Sequence, residues 1–591
     1  MGAFFLYNPQ SFNEAKLNSV KDVYVQKGFH EPKQFHLGSY GLLLYQKQLV
    51  NYENFYEEDE GAIYVVGTVI YRGLGYSETI RAMLHDFCNH TLAYDELLGN
   101  YCAIIHCKGQ IHILNDALNV CELFEDVDRT FVTSSFLAAA ESMERLTIDR
   151  LTTQEKLLTG YIVGENTLFN EVKRVIPQTR TGNSAWEVHK WEPFQVPESD
   201  NNRTESVKER AETIKQFFAK IENIAREYPP ELGLSGGYDS RMLFAGSQGS
   251  WPFKLDLHTH NTEGVKIHDV EKEIVKEMAK QTGTPLQIVP THNMDYYQEE
   301  DVEDILKDGY YFFDGRCAYN MGAFSPVYTR KYKCQAVSGH GLTLNGLGGE
   351  NYRNYYMNIK PLVSTKQWMK AKVYPCAVED VLAKEDFNKL HRTIVEKMDR
   401  LLPIKWGKVV SNFDTRRYYS EMRMPDCDAL NCNAHNQMEF YLTPFIDRSM
   451  IADAYRGRKY VGVSGQYQAD IIHELSPLVA SFDSHYGYAF DKKEPFKRTI
   501  YMLVRGILPD FIWNARIRLL TRKTRNTNGN LKYFNRVREK SKFLDAAASY
   551  AESLFPEINF DNLRLDYAMM PNSTYISVVL YMLRDKINVG E

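Results

Sequence analysis

The chain has 591 residues, too many for one ordinary hydrophobic core, so two or more domains are expected. Hydrophobic residues make up 44% and charged residues 25%, which excludes a disordered or fibrous protein. The net charge of −6 is small for this length and no apolar run approaches the ~20 residues that span a bilayer, so neither nucleic acid nor a membrane is expected as a partner.

Met1 to Tyr7 carry no basic start and meet Pro9 before a signal-peptide core could form, and Leu6 stands where a myristoylation pattern wants Ser or Thr. A cytoplasmic protein is expected. The nine cysteines are scattered and no CxxC occurs; only Cys102 and Cys107 share one predicted strand and hairpin. Reduced, mostly buried thiols are expected, not a disulfide or zinc framework.

The first third reads as β-rich. Short apolar or alternating runs cover Ala62–Tyr71, Tyr101–His106, Gln110–Leu114 and Thr130–Ser134, with a hairpin turn at Lys108-Gly109 and one helix over Ser77–His90. Pro193 to Arg203 is polar, holds two prolines and reads as a linker. Beyond it an amphipathic helix spans Ser206–Ala225. Strands are then predicted at Glu231–Leu234, Lys254–His260, Pro285–Pro290 and Lys333–Ser338, with a helix at Asp269–Thr282. That alternation implies a parallel sheet with helices on both faces. The last third is mostly helical.

The most informative stretch is Leu234-Ser-Gly-Gly-Tyr-Asp-Ser240, where a short apolar strand runs into two glycines and a helix opens near Asp239. Glycines let the backbone approach a polyphosphate without Cβ interference, and free N–H groups at the helix start favour anions. Ser235 and Ser240 add hydroxyl donors. Asp239 is a poor phosphate ligand and suits Mg²⁺ bridging the phosphates. The plainer reading is a glycine turn with Asp239 as N-cap.

SGGYDS resembles the SGGxDS loop of the PP-loop ATP pyrophosphatases, and nearly the whole chain resembles the asparagine synthetase family. Leu97–Ala103, Asn115-Asp116, Phe131–Phe136 and Gly160–Pro177 are similar to stretches of the family's glutaminase-type part. His268–Glu271 is similar to an acidic pattern after its second strand, and Thr443–Met450, with Pro444-Phe-Ile-Asp447, to its PFLD element. The resemblance implies an α/β protein. Residues 1–195 would form an N-terminal Ntn-hydrolase-like sandwich of β-sheets with helices. Residues 204–591 would form a PP-loop (adenine nucleotide alpha hydrolase-like) parallel α/β domain with a mostly helical C-terminal part. It also implies ATP and Mg²⁺ as cofactors, with Leu234, Ser235, Gly236, Gly237, Asp239, Ser240, His260 and Gly339 at the nucleotide.

Glutamine-dependent members of the family carry a nucleophilic cysteine directly after the initiator methionine; here that position is Gly2. The Asn-Gly-Glu pocket pattern is also absent, since the stretch reads Val66–Tyr71. Glutamine hydrolysis is therefore not expected, as in β-lactam synthetase and the lasso-peptide cyclases. A second departure lies in Ala336–Glu350, where two registers stay open. In one, Ser338-Gly339-His340-Gly341 matches, the family's aspartate falls near Thr343, and His340 faces the reacting centre as a general base. In the other, Gly346–Glu350 is the functional loop and Glu350 supplies the second metal carboxylate beside Asp239. Lys492 and Lys493 are candidates for stabilising developing negative charge, as is Lys523 in the basic segment Arg516–Lys542.

The expected activity is an ATP-dependent, AMP-forming carbon–nitrogen ligase acting on a small molecule or peptide that bears a carboxylate and an amine. A precursor peptide as substrate and a homo-oligomer as assembly stay open. The rivals are an ammonia-dependent asparagine synthetase, which the match at Thr343 disfavours, and a silent relative serving as a scaffold, which an intact SGGYDS disfavours. Sulfur or nitrogen insertion into tRNA is disfavoured by the acidic balance and the lack of cysteine pairs.

Overall fold

The computed structural model describes residues 2–588, apart from 60, 181–184, 263–265, 292–301, 317–323, 325–326, 328, 338–340, 358, 375–376, 403, 429 and 528. The protein is α/β. Residues up to Val188 build two sheets of six and five strands. Alternation along each strand sends Phe4, Leu6, Leu42 and Leu44 of one sheet against Tyr64, Val66, Ile104 and Ile113 of the other, which makes the sandwich core. The opposite residues Phe5, Tyr7, Leu43 and Tyr45 pack outward under helix Glu14–Gln26.

Strands Gly61–Tyr71 and Leu97–Cys107 pair over their full length, and the predicted turn at Lys108-Gly109 has both residues left-handed (φ 51° and 78°), the geometry of a two-residue hairpin. One expectation fails here. Cys88, ending helix Tyr76–Cys88, and Cys107, ending the strand, are joined by a disulfide across Cα atoms 6.1 Å apart. The helix lies back across that strand pair, so two cysteines separated by 19 residues meet, a proximity that strand spacing does not reveal.

From Pro230 onward a five-stranded sheet forms, with every neighbouring pair parallel. Its spatial order is Leu286–Thr291, Asp256–Thr262, Pro230–Gly233, Leu342–Leu344, Phe440–Leu442, so the chain runs 3-2-1-4-5. The order reverses between the first and fourth strands, and in such sheets the crevice outside the carboxyl ends at that point is where ligands bind. Of the strand expected at Lys333–Ser338, Lys333 to Val337 belong instead to helix Arg330–Val337, and Ser338 lies outside the described residues. The Thr329 hydroxyl accepts from the Tyr332 N–H at 3.3 Å, a cap that starts the helix ahead of the run. The fourth strand, Leu342–Leu344, has only three residues.

Helix Asp239–Ser247 packs against the first strand of this sheet, and helix Arg203–Lys220 packs against that helix. The same apolar cluster continues through Ile214, Phe218 and Phe244 to Ile63, Val65 and Ile105 on the outer face of the five-stranded sandwich sheet. The crevice thus rests on a core shared by both parts of the chain. No helix among the described residues is long and apolar enough to cross a membrane.

Candidate functional site

The predicted loop sits at the carboxyl end of the first strand. The Leu234 N–H donates to His258 O of the neighbouring strand at 2.8 Å, which ends the ladder and releases the chain into Ser235–Tyr238. The loop is braced from within. Ser235 N–H donates to Ser240 Oγ at 3.0 Å, the two hydroxyls lie 3.0 Å apart, and Gly237 N–H donates to Ser235 Oγ at 3.2 Å. Helix Asp239–Ser247 opens with no side-chain cap, so the amides at its start are not held by an N-cap side chain.

The loop after the fourth strand closes the other wall. A Cβ at Gly346 would lie 2.6 Å from Ser240 N, and one at Gly349 would lie 2.5 Å from Asp239 Oδ1, so glycine is what lets the two loops meet. Arg353 Nη2 donates to Asp239 Oδ2 at 2.7 Å and pairs with Glu350 Oε1 at 3.1 Å. Gln468 Nε2 donates to Asp239 Oδ1 at 2.9 Å and to Gly349 O at 3.3 Å, and Tyr419 OH donates to Glu350 Oε2 at 3.0 Å. Burial raises the Glu350 pKa, the Asp239 charge adds to the rise, and Arg353 opposes it. Burial disfavours the Arg353 charge, but Asp239 and Glu350 outweigh it and hold its pKa well above the ordinary value.

Of the two registers, the second has its loop, Gly346–Glu350, beside Asp239, while Ser338-Gly339-His340 of the first lie outside the described residues. Thr343 lies within the strand, where its hydroxyl is 2.7 Å from Glu231 Oε1 and also contacts Glu439. A hydroxyl has one hydrogen, so one of these acids must hold a proton to donate back. Burial, reinforced by the Glu231 charge, lifts the Glu439 pKa to about 8.

No family model matches this chain, and no curated protein matches it. The remaining predicted residues divide. His340 and Gly339 lie outside the described residues, as does the side chain of Lys523. His260 is on the second strand, exposed, its ring 5.5 Å from that of His258. Lys492 and Lys493 are exposed, and other side chains of their segment cover the loop. The His485 ring would lie 3.3 Å from a Cβ at Gly237, and His485 Nδ1 is 3.0 Å from Glu271 Oε1. Tyr486 stacks on Tyr238 with ring centres 4.5 Å apart. Arg241, fully buried, fixes this cover by donating to Phe482 O at 2.8 Å and Asp483 O at 2.7 Å.

Sequence reasoning missed Arg353, Gln468, Tyr419 and His485. Arg353 follows Glu350 by three residues on one short turn, which is a readable signal. Gln468 lies 229 residues from Asp239, and nothing local marks it.

Gly2 is in a different setting. A Cβ there would lie 2.3 Å from Tyr45 O and 3.2 Å from Asn54 Nδ2, so this backbone has no place for a cysteine side chain. The adjoining cavity offers about 30 Å³ to the centres of water-sized spheres, room for one or two waters. Lys27 and Asp314, paired with each other, line it.

Proposed function

We propose that the chain is an ATP-dependent, AMP-forming carbon–nitrogen ligase, which adenylates a substrate carboxylate and lets a substrate amine attack the adenylate. The observation that carries this reading is the meeting of two loops at the reversal point of a 3-2-1-4-5 parallel sheet. One is the SGGYDS loop; the other brings Glu350 to the same guanidinium that binds Asp239. On this reading residues 204–591 are a PP-loop, asparagine synthetase-like unit and the sandwich is an Ntn-like relic.

The Ser235–Ser240 backbone and the start of helix Asp239–Ser247 would take the β- and γ-phosphates, with the serine hydroxyls as further donors. Asp239 and Glu350 suit Mg²⁺, which typically takes one or two carboxylates and completes its shell with phosphate oxygens and water. When bound, the ion would neutralise phosphate charge. Arg353, freed from one carboxylate, becomes a cation for the departing pyrophosphate. A substrate carboxylate oxygen bonds to the α-phosphorus as the bond to pyrophosphate breaks. The amine nitrogen then bonds to the acyl carbon, AMP leaves with the electron pair, and the nitrogen loses a proton. Positioning and charge stabilisation supply most of the acceleration. The crowded Gly2 supports an amine supplied by a substrate rather than by glutamine hydrolysis.

Pyrophosphate release from ATP over a panel of carboxylate and amine pairs tests the reading. The expected result is release that needs Mg²⁺ and falls by roughly 10²–10³-fold in Asp239→Ala. An Asp239→Ala protein that releases pyrophosphate at the parental rate would defeat it.

A further inference from the structure

Nineteen large hydrophobic side chains are exposed among the described residues, and ten of them fall within the 25 residues from Phe496 to Leu520. A concentration of this kind marks an interaction surface, whereas single exposed apolar residues do not. The segment comprises helices Phe496–Ile507 and Asp510–Thr527, joined by Leu508-Pro509. The first is held to the body through Met502 and Gly506; a Cβ at Gly506 would lie 2.8 Å from Met357 O and 3.0 Å from Val463 Cγ1. On its opposite side Phe496, Ile500, Leu503, Val504 and Ile507 follow at i, i+4, i+7, i+8 and i+11, one continuous stripe. Phe496 is 77% exposed and Phe511, which opens the second helix, 65%.

The flanks are basic. From Phe496 to Thr527 the sequence holds eight lysines and arginines and one acidic residue, Asp510. Arg505 and Arg516 lie against the Trp513 ring at 5.1 and 4.8 Å, and Lys497 is exposed beside the stripe. Arg498 and Arg518 are paired with Glu494 and Glu379, and the net positive surplus that remains argues against a second copy, because apposing two such faces would double it. A stripe of aromatic and branched aliphatic side chains along about 18 Å of helix, flanked by long cationic side chains, matches a helix that lies in a lipid interface.

We propose that this pair of successive helices docks the protein on an anionic lipid bilayer, with Phe496, Ile500, Val504 and Ile507 entering the headgroup region and the basic flanks meeting lipid phosphates. It modifies the composition-based expectation of no membrane partner, which averaged the charge over the whole chain and hid a local surplus. The first of these helices starts beside the crevice: Arg498 lies 4.7 Å from the Tyr486 ring, which stacks on Tyr238. Docking therefore brings the crevice to the bilayer surface, whatever reaction it runs.

The full chain should be sedimented with vesicles of phosphatidylcholine alone and of phosphatidylcholine mixed with phosphatidylglycerol. Binding to the mixed vesicles is expected to be at least about tenfold tighter, and to weaken as salt is raised. Ile500→Glu combined with Val504→Glu should abolish it. Both positions are exposed, so the thermal midpoint should stay unchanged. Absence of binding to the mixed vesicles would overturn the proposal, as would equal binding to neutral ones. A parental protein that is dimeric without lipid and made monomeric by the same substitutions would assign the face to self-association and overturn it as well.

Discussion

At Gly2 and at Gly349 the backbone approaches a neighbour so closely that no side chain fits, yet the neighbours differ in kind. Beside Gly2 is the carbonyl of Tyr45, within the strand Tyr40–Tyr45 that pairs with the strand starting at Ala3. Beside Gly349 is the carboxylate of Asp239, shared with Arg353 and Gln468. Closeness in the first place locks a strand end against its neighbour, beside a small cavity that Gly2 and Ala3 share with Phe312, Asp314 and Gln437 from far along the chain. In the second it presses one loop against another where two carboxylates are bridged by a single guanidinium. Crowding at the strand end is structural; crowding in the crevice sets the position of charge.

Substituting each glycine by alanine separates the two directly. Gly349→Ala must push the loop or Asp239 aside by most of an ångström, and a displacement of that size is expected to lower Mg²⁺-dependent pyrophosphate release by about 10²-fold. Gly2→Ala should leave that activity intact and instead cost about 1–3 kcal/mol in denaturant unfolding, since a strand carbonyl cannot retreat. If Gly2→Ala abolished pyrophosphate release in a protein that still unfolds at the parental midpoint, the two regions would be coupled and the contrast would fail.

The fold was legible where the pattern was periodic and the turn chemistry explicit. The Lys108-Gly109 hairpin, the long strand pair beside it, the Asp239 helix and three of the parallel strands stand within a few residues of expectation. Leu342–Leu344 escaped because three residues carry almost no periodicity, and the preceding run, capped at Thr329, competes for the same length of chain. In the crevice, the place of SGGYDS between a strand and a helix was legible because an apolar run leads straight into a glycine pair. Gln468 and His485 were not, because they reach the loop from far along the chain and are set by packing. Lys492 and Lys493 drew attention through the family resemblance, which implies a lysine late in the chain, and both are exposed.

The shared guanidinium allows a finer test through pH. Burial, and then the charge of Asp239, raise the Glu350 pKa, so its carboxylate gains a proton at a higher pH than an ordinary glutamate. A protonated Glu350 carries no charge for Mg²⁺ to neutralise. Mg²⁺-dependent ATP affinity, measured by calorimetry, should therefore fall with decreasing pH, beginning above the usual glutamate range. Glu350→Gln should lower the affinity on the order of tenfold at neutral pH and flatten that acidic limb. A variant that keeps the full limb would assign it to another group and remove Glu350 from the metal site.

Ser240→Ala has the smallest expected effect and asks whether the loop is held from within or by its cover. The Ser240 hydroxyl accepts from Ser235 N–H at 3.0 Å and meets Ser235 Oγ at the same distance. Removing it orphans one part-buried N–H, which costs about 1 kcal/mol in stability, while Arg241 still anchors the covering segment at Phe482 and Asp483. If the inner brace matters only for order, ATP affinity should weaken by about fivefold and the rate of pyrophosphate release at saturation should stay near parental. If that rate falls while affinity holds, the Ser240 hydroxyl itself is needed in the reaction. It then acts on the reacting phosphates beside the metal site at Asp239, and the loop is more than a cradle.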